Sequence, residues 1–208
     1  MQSDYFAYLK KRSPASILLR KLFLMPVAKY FSGRVLDIGS GIGEFLEYYT
    51  DSIGIDIDRD CVTFCKSKGL NCLHADVYKL PFDDNSFDGV LLNNILEHLE
   101  KPGDAFLEIK RVLRNDGKLL IELPGEKGFY YDKTHVKFWG EKEIVDFLEK
   151  WSFKDIRAKY FPLPFEFAGD ILTHNKLRVF ANNSKKDILH NVIEKQRMIN
   201  EGNKTTDG

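Results

Sequence analysis

Short apolar runs and longer segments of helical spacing follow one another along this chain. The short runs are Val35–Ile38, Ser52–Asp56 and residues 71–74, 87–92, 118–123 and 176–181, joined by the more polar segment Phe153–Phe161. They read as strands. Between them, residues 103–114 carry Phe106, Ile109 and Leu113 in one helical register, and residues 140–150 align Ile144, Phe147 and Leu148 with Trp151. Arg59–Ser67 reads as a helix capped by Asp58. A helix from about Pro14 places Ile17, Leu18, Leu22, Met25 and residues 27–28 on roughly one side, and residues 184–200 read as a last helix. Asn115-Asp116-Gly117 is a turn signal, residues 201–208 hold no apolar side chain and read as a disordered tail, and no repeat is present.

One stretch organises the rest. The first strand carries an acid, Asp37, and breaks into Gly39-x-Gly41-x-Gly43; Glu44-Phe45-Leu46-Glu47 then starts a helix. A strand, a glycine turn and a helix form the nucleotide-binding crossover, where backbone must turn sharply and meet a ligand without a Cβ in the way. The helix that follows presents free N–H groups at its start. Asp56 stands 19 residues after Asp37 at the end of the second strand, placed to accept ribose hydroxyls of a nucleoside.

The loop and its preceding acid resemble motif I of the class I S-adenosylmethionine (SAM)-dependent methyltransferases, in particular the small-molecule, UbiE/UbiG-like branch. Further family phrases follow in order over residues 31–182: Ala75-Asp76-Val77, Leu80-Pro81-Phe82 through Phe87-Asp88, Glu97-His98 before Pro102, and Leu113 through Gly117 leading into strand five. The resemblance implies a Rossmann-like, doubly wound seven-stranded sheet of order 3-2-1-4-5-7-6 with strand seven antiparallel. Residues 1–30 would add a helical cap, and residues 183–208 a C-terminal helix and tail. It implies SAM as cofactor, held by Asp37, Gly39, Ser40, Gly41, Gly43, Asp56, Ile57, Asp76, Val77 and Asn93. In that scheme Asp56 takes the ribose, Asp76 and the Val77 backbone take the adenine, and Asp37 acts near the cationic end of the cofactor.

The segment after strand five would face the methyl acceptor. It is rich in aromatics (Phe129, Tyr130, Tyr131, Phe138, Trp139), and Asp132-Lys133-Thr134-His135 resembles the Asp-x-x-His phrase of small-molecule methyltransferases. The implied roles are His135 as general base and Asp132 as its orienting carboxylate. Phe161, Phe165 and Phe167 would wall the acceptor pocket. Some relatives hold a divalent metal with Glu-x-x-Glu-His at the phrase ending in His98. Here Asn94 stands where the first Glu would be, a poorer ligand for a hard cation, so no metal is expected.

Composition narrows the partners. The chain of 208 residues is 43% hydrophobic with a formal net charge of +0, so no global basic field draws it to nucleic acid. Cys61, Cys65 and Cys72 form no zinc spacing and read as reduced thiols, consistent with a cytoplasmic monomer or homodimer acting on a small, partly apolar molecule. Lys10, Lys11, Arg12, Arg20, Lys21 and Lys29 stand against Asp4 alone in the first 30 residues. That excess fits a solvated cap, or a weak contact with a membrane or lipid-linked substrate. No apolar run reaches membrane-spanning length. An NAD-dependent reductase would want G-x-G-x-x-G or Tyr-x-x-x-Lys, and neither occurs; a non-catalytic SAM-binding scaffold is the other alternative.

Overall fold

The computed structural model describes residues 14–164 and 175–185 together with Phe6. The strands are β1 (Val35–Ile38), β2 (Ser52–Asp56), β3 (Cys72–His74), β4 (Phe87–Asn93), β5 (Leu113–Pro124), β6 (Phe153–Phe161) and β7 (Lys176–Asn183). They form one sheet of order β3-β2-β1-β4-β5-β7-β6, parallel from β3 through β5, with β7 antiparallel to both its neighbours. The order reverses between β1 and β4. This switch point leaves a crevice at the strands' carboxyl ends.

The helices are α1 (Pro14–Tyr30), α2 (Glu44–Tyr48), α3 (Arg59–Ser67), α4 (Pro102–Val112), α5 (Glu126–Tyr131) and α6 (Glu141–Lys150), with a 3-10 turn at Leu96–His98. Both faces of the sheet are covered. On one, Phe106 and Ile109 of α4 and Ile144 and Leu148 of α6 pack with Val90, Leu92, Leu119 and Ile121. On the other, Leu24 and Val27 of α1 join Phe31 and Phe45 over Val35, Leu91 and Leu120. Adjacent residues of β4 and β5 thus enter opposite layers, which is why these strands are apolar at every position rather than at alternate ones. Each such aliphatic side chain contributes roughly 1.5–3 kcal/mol by leaving water.

One expectation changes. The Asn115-Asp116-Gly117 turn signal does not begin β5; it is absorbed inside it. Leu113 is already extended and pairs with Phe87, and a register shift between Phe87 and Gly89 takes up the slack, with Asp116 at φ 59°. Residues 126–131, the start of the aromatic-rich segment, form α5. The second half of the N-terminal helix packs on the sheet, where Leu24 and Val27 are buried. The helix expected at 184–200 from residue 186 on, the tail, Phe165, Phe167 and the basic residues 10–12 lie outside the described residues.

Candidate active site

At the end of β1 the chain turns through Gly39, Gly41 and Gly43, all left-handed at φ 72°, 54° and 80°. The N–H groups of Gly39 and Ser40 both donate to the Ile55 carbonyl of β2, at 2.8 and 2.9 Å, which folds the loop over the neighbouring strand. A Cβ on Gly39 would lie 2.0 Å from Ile95 Cδ1, so glycine is required both by the backbone angle and by contact with the segment after β4.

The carboxylates sit around this loop. Asp56, at the tip of β2 and 7% exposed, accepts the Gly41 N–H on Oδ2 at 2.7 Å and the Asp58 N–H on Oδ1 at 2.8 Å. Burial raises its carboxyl, and these two bonds oppose the rise. Asp58 caps α3 by accepting from the Asp60 N–H at 2.8 Å, as expected. Asp37, 3% exposed within β1, is raised well above the usual carboxylate range, first by burial and then by Cys72, Asp56 and Glu44. Ser40 turns its hydroxyl inward to Cys72 Sγ at 3.3 Å. After β3, Asp76 is exposed and its Oδ1 accepts the Tyr78 N–H at 3.0 Å in a tight turn, with Val77 buried beside it. Ile57, next to Asp56, leaves 52% of its surface open. The expected cofactor residues therefore converge on the carboxyl ends of β1, β2 and β3.

Asn93 ends β4 and meets residues that sequence reading missed. Its Oδ1 accepts from Lys176 Nζ at 3.2 Å, and Lys176 also bonds Glu122 Oε2 at 3.2 Å. Burial would raise the Glu122 carboxyl, but Lys176 and Arg178 hold it below the ordinary value. Arg178 bonds Glu122, donates to the Phe23 carbonyl of α1 at 2.9 Å and lies over the Phe161 ring. Phe161 also packs edge-on against Phe23 at 4.9 Å. It thus has structural partners on two sides. A lone acid inside the apolar run of β5 was the available signal for Glu122, as it was for Asp37 in β1.

The acceptor segment is folded back by backbone bonds. Val136 and Lys137 N–H groups donate to the Glu97 carbonyl at 2.8 and 3.1 Å, which brings residues 132–137 onto the 3-10 turn. His135 then lies beside His98, ring centroids 4.6 Å apart, and Phe129 stacks on its other side at 5.2 Å. His135 Nδ1 is 2.7 Å from the Phe129 carbonyl and His98 Nδ1 is 3.2 Å from the Thr134 carbonyl. A carbonyl only accepts, so each Nδ1 donates, and in the neutral form of each ring Nε2 is the nitrogen with the free lone pair.

Asp132 lies closer to Thr134 than to His135. Its Oδ1 accepts the Thr134 N–H at 2.9 Å and the Thr134 hydroxyl at 2.7 Å, while Oδ2 stays 4.0 Å from His135 Nε2. With its proton committed to Asp132, Thr134 Oγ1 accepts from His98 Nδ1 at 3.3 Å. Asp132 therefore sets the tautomer of His98 through a hydroxyl, and the Phe129 carbonyl sets that of His135. Glu97 is 1% exposed, neither of its oxygens has a hydrogen-bond partner among the described residues, and burial pushes its carboxyl up to about 8. Its Oε1 is 3.9 Å from His135 Nε2. Trp139, expected at the acceptor, is instead buried in the core against Phe147. Tyr130 and Tyr131 are exposed.

A methyltransferase-domain family profile matches residues 36–121. An uncharacterised protein of Methanocaldococcus jannaschii is 33% identical over 137 residues, 61% of this chain and 67% of that protein. A fatty-acid O-methyltransferase of Mycolicibacterium smegmatis is 37% identical over 98 residues, 42% of this chain but 35% of that enzyme. Among solved structures, a SAM-dependent methyltransferase from Archaeoglobus fulgidus superposes with a TM-score of 0.68 at 26% identity, covering 80% of this chain and 94% of that one. With this sheet order and a glycine loop ringed by strand-end carboxylates, the chain belongs to the class I SAM-dependent methyltransferases, and SAM is its cofactor.

Proposed function

We propose that this enzyme methylates an oxygen or nitrogen of a small, partly apolar molecule, a class that includes sugar, quinone-like and lipid-linked intermediates. One observation carries the reading: Ile95, which packs on Gly39 of the cofactor loop, is two residues from Glu97. Cofactor loop and acceptor cluster are thereby held side by side. The cluster is polar, and exposed Tyr130 and Tyr131 stand on the adjoining α5. The similarity to a fatty-acid O-methyltransferase agrees with an acceptor that has an apolar part.

In this reading Asp56 binds the ribose hydroxyls with the acceptor sites left over from Gly41 and Asp58. Asp76 and the Val77 backbone meet the adenine, and Ile57 packs on its face. Gly39, Ser40, Gly41 and Gly43 line the methionine part, with Asn93 at the far end, and Asp37 sets a negative charge near the sulfonium. An acceptor lone pair attacks the methyl carbon in line with the carbon–sulfur bond. That bond's electrons return to sulfur, leaving S-adenosylhomocysteine and a methylated product that sheds its proton. Holding donor and acceptor in line supplies about 7–11 kcal/mol of the barrier. His135 is the catalytic residue facing the acceptor, and Asp132 is a positioning residue acting through Thr134.

Incubation with isotopically labelled SAM and separate sets of phenols, amines, carboxylic acids and sugars, read by mass spectrometry, tests this. Label is expected in a small-molecule set. Label found only in protein or RNA, with every small-molecule set unlabelled, overturns the proposal.

A further inference from the structure

We propose that Glu97, His98 and His135 select a primary amine as the methyl acceptor, its ammonium group donating one N–H to each of the three side chains. The inference rests on the reading of this cluster as the acceptor side of the cleft, and narrows the methylated atom to nitrogen. One carboxylate oxygen and one nitrogen from each imidazole lie within 4.8 Å of one another. The Nδ1 atoms face the carbonyls of Phe129 and Thr134, so in the neutral rings both Nε2 atoms are hydrogen-bond acceptors. Burial, and then the neighbouring His135, push the His98 pKa down, which keeps that ring neutral. Glu97 adds a carboxyl that is 1% exposed and accepts no hydrogen bond from any described residue. A buried acceptor without a donor costs free energy, and a ligand that supplies the missing donors recovers it.

The spacing fits three hydrogen bonds to one nitrogen. Bonds of about 2.9 Å from a tetrahedral ammonium put its partners about 4.7 Å apart. The three atoms here span up to 4.8 Å, and the pair His135 Nε2 and Glu97 Oε1, at 3.9 Å, is reached by bending one bond. Charge points the same way. Asp132 Oδ2 stands 4.0 Å from His135 Nε2 and adds a second negative edge. The cation on the opposite side, Lys176, is engaged by Asn93 and Glu122, each at 3.2 Å. Burial pushes the Glu97 carboxyl up to about 8, and an ammonium beside it favours the charged form again.

Other acceptor groups match this cluster less well. A hydroxyl has one O–H and satisfies one of three acceptors, and a carboxylate brings only further lone pairs. A quaternary ammonium has the charge without any N–H. The reaction also closes on these side chains. One N–H proton passes to His135 Nε2, and rotation about the carbon–nitrogen bond turns the freed lone pair toward the methyl group while Glu97 and His98 hold the two remaining N–H groups. The lone pair forms the new carbon–nitrogen bond as the carbon–sulfur electrons return to sulfur. The products are S-adenosylhomocysteine and a secondary ammonium, with the displaced proton left on His135.

The test is calorimetric titration of the full chain, saturated with S-adenosylhomocysteine in a chelating buffer at about pH 8, where alkyl amines are protonated. The probes are hexylamine and benzylamine, each beside its alcohol, its carboxylate and its trimethylammonium counterpart. At least one amine should bind about tenfold or more tightly than all three of its counterparts. Glu97→Gln, shown folded by unchanged S-adenosylhomocysteine affinity, should weaken that amine by about 10–100-fold and leave its alcohol within about twofold. The wild-type ranking stands by itself should the variant not fold. No binding by either amine, an alcohol, carboxylate or trimethylammonium probe that binds as tightly, or a margin that survives Glu97→Gln in a folded protein would each overturn the proposal. Labelling of phenols or sugars together with a flat ranking here would sink the amine and leave a small-molecule acceptor in place. Label confined to protein or RNA would sink that broader reading whatever the ranking.

Discussion

Replacing Asp56 by alanine probes two roles of one side chain. The carboxylate accepts the Gly41 N–H at 2.7 Å and the Asp58 N–H at 2.8 Å, tying the glycine loop to the end of β2 and shaping the entry to α3. Hydrogen bonds to a charged acceptor contribute about 1.5–3 kcal/mol each, so losing two costs about 3–6 kcal/mol. Part is returned, because burial already penalises this charge and raises its pKa. The net expected loss of folding stability is about 2–4 kcal/mol. Separately, the loss of two ribose hydroxyl contacts should weaken SAM by about 100-fold or more. Urea unfolding of the SAM-free protein reads the first quantity and calorimetric titration under native conditions the second. Unchanged stability would show that Asp56 does not hold the loop. Unchanged affinity in the folded fraction would remove it from the ribose.

Three further outcomes follow from the same geometry. Asp37→Asn should stabilise the SAM-free protein at neutral pH. Because burial raises the folded-state pKa, the ionised carboxylate costs stability as pH rises from about 4 through that raised value, so the gain should vanish near pH 4; a wild type that is more stable at neutral pH in urea titrations contradicts this. Gly39→Ala combines a left-handed φ of 72° with a Cβ 2.0 Å from Ile95, and should cost about 1–3 kcal/mol in thermal unfolding while weakening SAM; a silent substitution would mean the loop relaxes freely. His135→Asn should leave SAM affinity within about twofold and slow methyl transfer by about 100-fold or more, and turnover at the wild-type rate would reduce His135 to a packing role.

Much of the fold was legible along the chain. Arg59–Ser67 was expected with both its ends and its Asp58 cap, and β1, β2 and β6 with both of theirs, because an acid, glycine or proline stands at a boundary of each. Sheet order came from the family phrases and not from periodicity, which says that a strand is buried without saying beside what. The start of β5 was missed because Asn115-Asp116-Gly117 serves a bulge as well as it serves a turn. The lone acids Asp37 and Asp56 drew attention to the glycine-loop end of the sheet, since a charge in or closing a buried run needs a reason.

The cluster of Glu97, His98 and His135 was not legible in the same way. Glu97 and His98 could be singled out, and so could His135, but as members of separate phrases. Two backbone bonds to the Glu97 carbonyl, from Val136 and Lys137, bring them together, and a third residue, Thr134, carries the influence of Asp132 to His98 instead of His135. Lys176 likewise reaches Asn93 and Glu122 only because β7 runs antiparallel beside β5. Periodicity and capping are local and can be read from neighbours a few residues apart. A meeting of loops 36 residues apart, such as His98 with Thr134, depends on how the sheet closes and is decided by packing alone.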